Sequence, residues 1–254
     1  MRRALARLLT CVVAAAGPAA CAMSRTHSLE SPPVAVLSTI GELRDDAAAA
    51  LVPRDLYPPD GTSDWILADD EWMPLADSAR TATLTVRGDE FEWRDPFGTT
   101  HEATLSGGEA RLRRTIVPGD RSMSIFEPPL LLVSPDAPRA DGAALESETP
   151  MRVDWIDGGE RDRGAGVRSS RILGRARVRT PAGAADATVV ENTFEARLKL
   201  ARARRVTTLW IVPGQGPVAE RWTQTIFVFG IPAGTTRGAA VRSAPRLAGS
   251  GART

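Results

Sequence analysis

The sequence predicts a mostly β protein, a curved antiparallel sheet of half-barrel or barrel-like form with one short N-terminal helix. Three observations predict it. Apolar and polar residues alternate along many short runs between Asp55 and Pro232, the period of strands with one dry and one wet face. Turn-forming clusters separate those runs at the spacing of a meander: Asp95-Pro96-Phe97-Gly98, Ser106-Gly107-Gly108, Pro118-Gly119-Asp120, Asp157-Gly158-Gly159 and Pro181-Ala182-Gly183. Helical spacing is confined to one stretch near residue 40.

Residues 1–21 read as an export leader. Arg2, Arg3 and Arg7 precede the apolar run Leu8 to Ala16, which is too short to span a bilayer, and small residues follow. The twin-arginine route fits Arg2-Arg3 less well than an ordinary basic start. Both cysteines of the chain, Cys11 and Cys21, lie here, so the body beyond Cys21 has no thiol for a disulfide, a zinc site or a nucleophile. Gly17-Pro18-Ala19-Ala20-Cys21 resembles a lipobox, with Cys21 as the lipid-attachment residue, although Pro18 stands where Leu is usual. The alternative is plain cleavage around Ala20-Cys21-Ala22. In proteins that match the lipobox pattern, Ala22 after the cysteine would imply sorting to the outer membrane, facing the periplasm.

Residues 22–54 read as a tether. Pro32-Pro33 favours extended chain, and Thr39-Ile40-Gly41-Glu42 has the spacing of a capping box. Ile40, Leu43, Ala47 and Leu51 would share one helical face before Pro53. The β domain then occupies 55–232. Phe194, Ala196 and Leu198 alternate with Glu195, Arg197 and Lys199; Met151, Val153 and Trp155 alternate with Arg152 and Asp154. Ala82, Leu84 and Val86, then Gly174, Ala176 and Val178, repeat the pattern, as do Met123 and Ile125 against Ser122 and Ser124. Residues 135–150 and 158–167 read as longer loops. The Gly-, Ala-, Ser- and Arg-rich stretch 233–254 reads as a disordered tail.

Pro213-Gly214-Gln215-Gly216-Pro217 reads as a hairpin turn and not a phosphate loop, because a strand-like run and not a helix N-terminus follows it. Pairing of Val212 with Val218 would put Trp210 and Trp222 on one face. Leu105-Ser106-Gly107-Gly108-Glu109 is like an ABC signature, but the only lysine, Lys199, lies between leucines, and no nucleotide loop accompanies it. Gly164-Ala165-Gly166 lacks the rest of a dinucleotide fingerprint. His101 has no nucleophile elbow beside it. Asp69-Asp70-Glu71 and Asp154, Asp157, Glu160 and Asp162 follow no calcium-loop pattern and read as solvated turns. No cofactor, metal site or catalytic residue is expected.

The formal charge of +1 includes the three leader arginines, so the remainder is slightly acidic and offers nucleic acid no basic footprint. Glu127-Pro128-Pro129-Leu130-Leu131-Leu132-Val133 is either a buried strand or the lip of an apolar cavity.

Pro128-Pro129-Leu130-Leu131-Leu132, Gly174-x-Ala176-x-Val178-x-Thr180-Pro181-Ala182-Gly183 and Leu209-Trp210-Ile211-Val212-Pro213-Gly214-Gln215-Gly216-Pro217-Val218 occur in that order. The series resembles a group of bacterial envelope lipoproteins similar to the LolA/LolB carrier half-barrels, over roughly residues 55–230. The resemblance implies a curved sheet around an apolar cavity. Ile211 and Gln215 depart from the Tyr and Val of that group.

The resulting expectation is a lipid-anchored envelope protein, not an enzyme, acting as a structural or adaptor module. The alternative is a carrier of a lipid or other apolar ligand, lined by Leu130, Leu131, Leu132, Trp155 and Leu198. Its partners would be the membrane, through the anchor, and a lipid or an envelope protein.

Overall fold

The structure is a computed structural model that describes residues 35, 37–44, 60–134, 144–199, 201–244 and 247–248. Among them the only helical turn is a 3-10 turn at Pro118–Asp120, and everything else regular is strand. No helix among the described residues is long and apolar enough to cross a membrane.

The strands are β1 (Ser38–Arg44), β2 (Gly61–Ala68), β3 (Pro74–Arg87), β4 (Glu90–Arg94), β5 (Thr100–Ser106), β6 (Glu109–Val117), β7 (Ser122–Val133), β8 (Leu145–Trp155), β9 (Glu160–Thr180), β10 (Gly183–Leu198), β11 (Ala201–Val212), β12 (Gly216–Val228), β13 (Ile231–Arg242) and β14 (Leu247–Ala248). Strands β2 to β13 pair antiparallel with their chain neighbours, and β13 pairs back onto β2 from Ala239↔Ala68 to Arg242↔Trp65. The sheet is therefore closed: a barrel of twelve strands, more complete than a half-barrel. Closure leaves no long free edge. Twelve strands also enclose more space than one layer of side chains fills.

Where the predicted N-terminal helix begins, the chain is strand: β1 covers Ser38–Arg44. β1 runs antiparallel to β9, with Ser38 opposite Arg179 and Ile40 opposite Arg177. The reason is tertiary. β8 covers β9 only as far as Ser170, so the next stretch of that edge needs hydrogen-bond partners, and β1 supplies them. Residues 45–51 of the predicted helix lie outside the described residues, as do the leader and Cys21.

Three boundaries also move. The predicted loop 158–167 is mostly strand, since β9 begins at Glu160. The expected loop at 135–150 ends early, because β8 begins at Leu145. Of the predicted tail 233–254, residues 233–242 form most of β13, and residues 249–254 lie outside the described residues. In β13 Gly238 lies under the Trp222 indole, so close that a Cβ would stand 2.8 Å from the ring. Small residues are what this site demands, and their low hydrophobicity hid the strand.

Alternation sets the two faces. Phe194, Ala196 and Leu198 turn inward, while Glu195 turns outward to Arg197 and Arg202. Arg171 meets Glu191 at 2.8 Å and Arg152 meets Asp154 at 3.1 Å on the outer surface. Such pairs add little stability each, but their position is informative. A membrane-spanning barrel has an apolar band outside and a polar lumen, and this barrel has charge outside and a largely apolar lumen.

A second core lies where β9 and β10 pass a bulge at Val189/Val190. Beyond it Ala176, Val178, Ala187 and Val189 pack with Trp210, Val212 and Leu37, away from the lumen.

Candidate functional site: the barrel lumen

A cavity of about 1260 Å³ occupies the lumen, above the usual range for a small-molecule site. Its apolar wall comes from alternate residues of adjacent strands, among them Phe91, Leu112, Phe126, Leu130, Leu132, Met151, Val153, Phe194 and Leu209. Phe126 and Phe194 meet edge to face with ring centroids 6.0 Å apart. Gly166 fits between them, and a Cβ there would stand 2.8 Å from Phe126 and 3.3 Å from Phe194.

Four of the five residues expected to line an apolar cavity, Leu130, Leu132, Trp155 and Leu198, are on its wall. Leu131 is not a lining residue. The period of two that aims Leu130 and Leu132 inward turns Leu131 to the other face; its backbone N–H donates to the Ser147 hydroxyl at 3.2 Å. The same parity corrects a second expectation. Ser122 and Ser124 line the cavity, so Met123 and Ile125 face outward.

The lumen opens at one end. The β2–β3, β4–β5, β6–β7, β8–β9, β10–β11 and β12–β13 turns all lie there, because consecutive antiparallel strands alternate direction. Asp120, Trp155, Glu160, Arg161, Asp162 and Lys199, from three of those connections, belong to the cavity wall, and Glu160 and Lys199 are exposed. The large apolar side chains most exposed among the described residues, Leu75, Ile156, Phe229 and Ile231, lie in or beside the β2–β3, β8–β9 and β12–β13 turns of this end, the last two 70% exposed.

The β4–β5 turn folds inward and fills one side of the barrel. Pro96 is fully buried, and Phe97 packs edge-on to Trp222 with centroids 5.7 Å apart. Asp95 shapes this turn: its Oδ1 accepts from the N–H groups of Phe97 and Thr99 at 2.9 and 2.8 Å. Its Oδ2 lies 3.4 Å from His101 Nε2. Across the lumen Arg205 donates to Glu220 at 3.1 Å and stacks 4.4 Å over Trp222. Burial pushes the Glu220 carboxyl up; Arg205 and His101 pull it back down, and Asp95 adds to the rise. Two strands along the same wall, Arg168 of β9 donates to the Leu132 carbonyl and to Asn192 Oδ1, which also accepts from Ser170.

The remaining candidates from the sequence serve structure. Asp69 caps its own turn through the N–H groups of Glu71 and Met73, and Asp70 meets Arg237. Asp157 pairs with Arg121, and Glu160 with Arg163. Among the described residues no group of three or more His, Asp or Glu side chains is placed to hold a metal ion. Pro213-Gly214-Gln215 is a hairpin turn, with the Gln215 N–H donating to the Val212 carbonyl at 2.9 Å. The buried Arg242 clasps the turn through the Gln215 and Pro217 carbonyls. A bulge makes Ile211 pair with Pro217 and Trp210 with Ala219. Trp210 therefore packs outside on Trp72 while Trp222 turns inward, and the two do not share a face as expected.

Sequence reasoning missed Arg205, Glu220, Gln224 and Arg168 as lumen residues. For Glu220 a signal existed: it shares strand parity with Trp222, Gln224 and Ile226, so an inward Trp222 carries Glu220 inward too.

No protein-family model matches the chain, and no curated protein matches it. Among solved structures, a candidate lipoprotein from Parabacteroides distasonis aligns at a TM-score of 0.43 and 12% identity, over 75% of this chain and 97% of that one. A candidate exported protein with a YmcC-like fold from Bacteroides fragilis aligns at a TM-score of 0.38 and 10% identity, over 74% and 97% respectively. Neither likeness carries a functional assignment.

Proposed function

We propose that this protein is an exported, non-catalytic carrier that shields an acyl chain or a similar apolar ligand inside its barrel, held in the cell envelope by a lipid on Cys21. The observation that supports this reading is the lumen. A purely structural or adaptor module gains nothing from a wide barrel whose interior its own side chains do not fill, since unfilled apolar space costs stability. A carrier needs that space. The charged exterior suits a water-exposed barrel, and the apolar interior suits a ligand that water excludes.

The chemistry asked of the site is burial. Each methylene taken from water contributes about 0.8 kcal/mol, so a chain of about twelve gains roughly 10 kcal/mol before association costs of about 4–15 kcal/mol. Reversible binding, as a carrier requires, follows from that balance. The exposed apolar side chains beside the mouth favour exchange at that end.

Native mass spectrometry of the full chain, produced with its leader and purified without detergent, tests the reading. A reproducible added mass that extracts as lipid supports it. A bare protein mass, together with no uptake of added acyl compounds, overturns it in favour of the adaptor. Cys21→Ser tests the anchor separately: membrane fractionation is expected to be lost, and unchanged fractionation refutes lipidation.

A further inference from the structure

The cavity mouth contains two buried polar atoms that the barrel itself leaves unsatisfied. Arg161, at the start of β9, lies with its guanidinium 4.5 Å over the Trp155 ring. Its Nη1 is buried and has no hydrogen-bond partner among the described residues. Asp120 ends the 3-10 turn between β6 and β7, and its Oδ1 is likewise buried and unpartnered. Both residues belong to the cavity wall. The two segments are tied together: Ser122 is the register partner of Trp155, and the Ile156 N–H donates to the Arg121 carbonyl at 2.9 Å.

Unsatisfied buried polar atoms are rare and each is costly, so they call for an explanation. A guanidinium cannot neutralise itself by losing a proton. Burial lowers the Arg161 pKa, with Asp162 opposing, so the charge is only partly compensated here. Its spare N–H points to an acceptor, and an anionic acceptor returns about twice the energy of a neutral one. Burial also pushes the Asp120 carboxyl up to about 7, and in its protonated form that carboxyl is a donor. Glu160, Asp162 and Lys199 share the rim, and the Glu160 carboxylate is engaged by Arg163. Below the rim the wall turns apolar at Phe126, Leu130 and Met151.

We infer that the mouth is a headgroup site: Arg161, held flat by Trp155, and Asp120 together bind an anionic head, a carboxylate or a phosphate monoester, whose acyl chain runs down into the lumen. This rests on the carrier reading and adds the ligand class to it.

Three single-chain probes separate the possibilities: palmitate, palmitoyl lysophosphatidate and monopalmitoylglycerol, each competing with an apolar fluorophore for the full-length protein. The wild type is expected to bind at least one anionic probe about tenfold tighter than the neutral one, and the tighter of the two identifies the head. In Arg161→Gln the preference is expected to vanish while the affinity for monopalmitoylglycerol changes less than twofold. Arg161→Lys is expected to keep part of it. An unchanged melting temperature shows that the variants are folded. Equal binding of all three heads, or a preference that survives Arg161→Gln, overturns the headgroup site and leaves the carrier intact. Binding of none of the three overturns the carrier reading and this inference with it.

Discussion

Removing the Arg205 side chain from the lumen tests whether the buried Glu220 is held by charge or only by packing. Arg205→Met keeps most of the apolar stem and deletes the guanidinium that donates to Glu220 at 3.1 Å. Glu220 is nearly inaccessible, and burial already raises its pKa against the pull of Arg205. A carboxyl with a raised folded pKa binds its proton more readily folded than unfolded, so its contribution to stability falls as pH rises above the unfolded value. Losing Arg205 raises that pKa further. The cost has a ceiling, because the acid can always be protonated. From an unfolded pKa of about 4.3, the ceiling is about 3.7 kcal/mol at pH 7 and about 1 kcal/mol at pH 5. The wild type already carries part of it. The expected loss at pH 7 is therefore the part of that ceiling the wild type does not already carry, at most about 3.7 kcal/mol, with up to about 1 kcal/mol more from the lost stacking on Trp222. At pH 5 the total is expected to shrink to about 1 kcal/mol. Urea unfolding followed by tryptophan fluorescence at the two pH values measures both, with an unchanged m value as the control. A loss equal at pH 7 and pH 5 would refute the electrostatic account and leave only the packing of the arginine stem. Arg205→Met combined with Glu220→Leu is expected to recover most of the loss, since replacing both partners removes the orphaned charge.

A homologous series of saturated fatty acids should bind with affinities that rise about fourfold per added methylene until the chain fills the lumen; a flat series would argue against burial of the tail. Asp120→Asn should leave stability unchanged near pH 4 and raise it at pH 8. The wild-type carboxyl, raised to about 7, loses its contribution as pH climbs from about 4 to 7, and the amide does not titrate. The full shift would amount to about 4 kcal/mol, and solvent screening at the rim reduces the expected gain to about 1–2 kcal/mol; equal pH profiles by thermal melts would contradict the burial of this carboxyl. Gly166→Val would drive Phe126 and Phe194 apart, so a destabilisation of about 1–3 kcal/mol is expected with weaker uptake of apolar fluorophores. A neutral effect on both would mean that the wall yields at that point.

The barrel inverts the usual arrangement of a membrane-spanning barrel, and this one feature organises the rest. Arg171, Glu191, Arg197 and Arg202 place charge on the outer face of β9, β10 and β11, where a membrane-spanning barrel carries its apolar band. The buried apolar side chains face the lumen or pack in the second core around Trp210. Twelve strands make that lumen too wide for self-filling, and the inward fold of the β4–β5 turn closes only one side.

Local chemistry by itself determined the strands, the turns and, for most of the chain, which face is dry. Phe194, Ala196 and Leu198, or Met151, Val153 and Trp155, are legible because a period of two needs only neighbouring residues. The Pro213 to Pro217 turn is legible for the same reason: proline and glycine restrict their own backbone. Tertiary structure decided what depends on residues far apart. β1 is a strand because β9 extends beyond β8 and leaves an edge to be paired, which no capping box in Thr39 to Glu42 can report. β13 is a strand because its small residues fit beneath Trp222, a fit invisible in a segment that looks like a tail. Trp210 and Trp222 separate because one bulge in the Leu209–Trp222 hairpin reverses the parity of one side. Sheet closure, the width of the lumen and the pair of unsatisfied polar atoms at its mouth are likewise properties of twelve strands taken together. Each strand's sequence specifies its own faces; only the ring determines what those faces enclose.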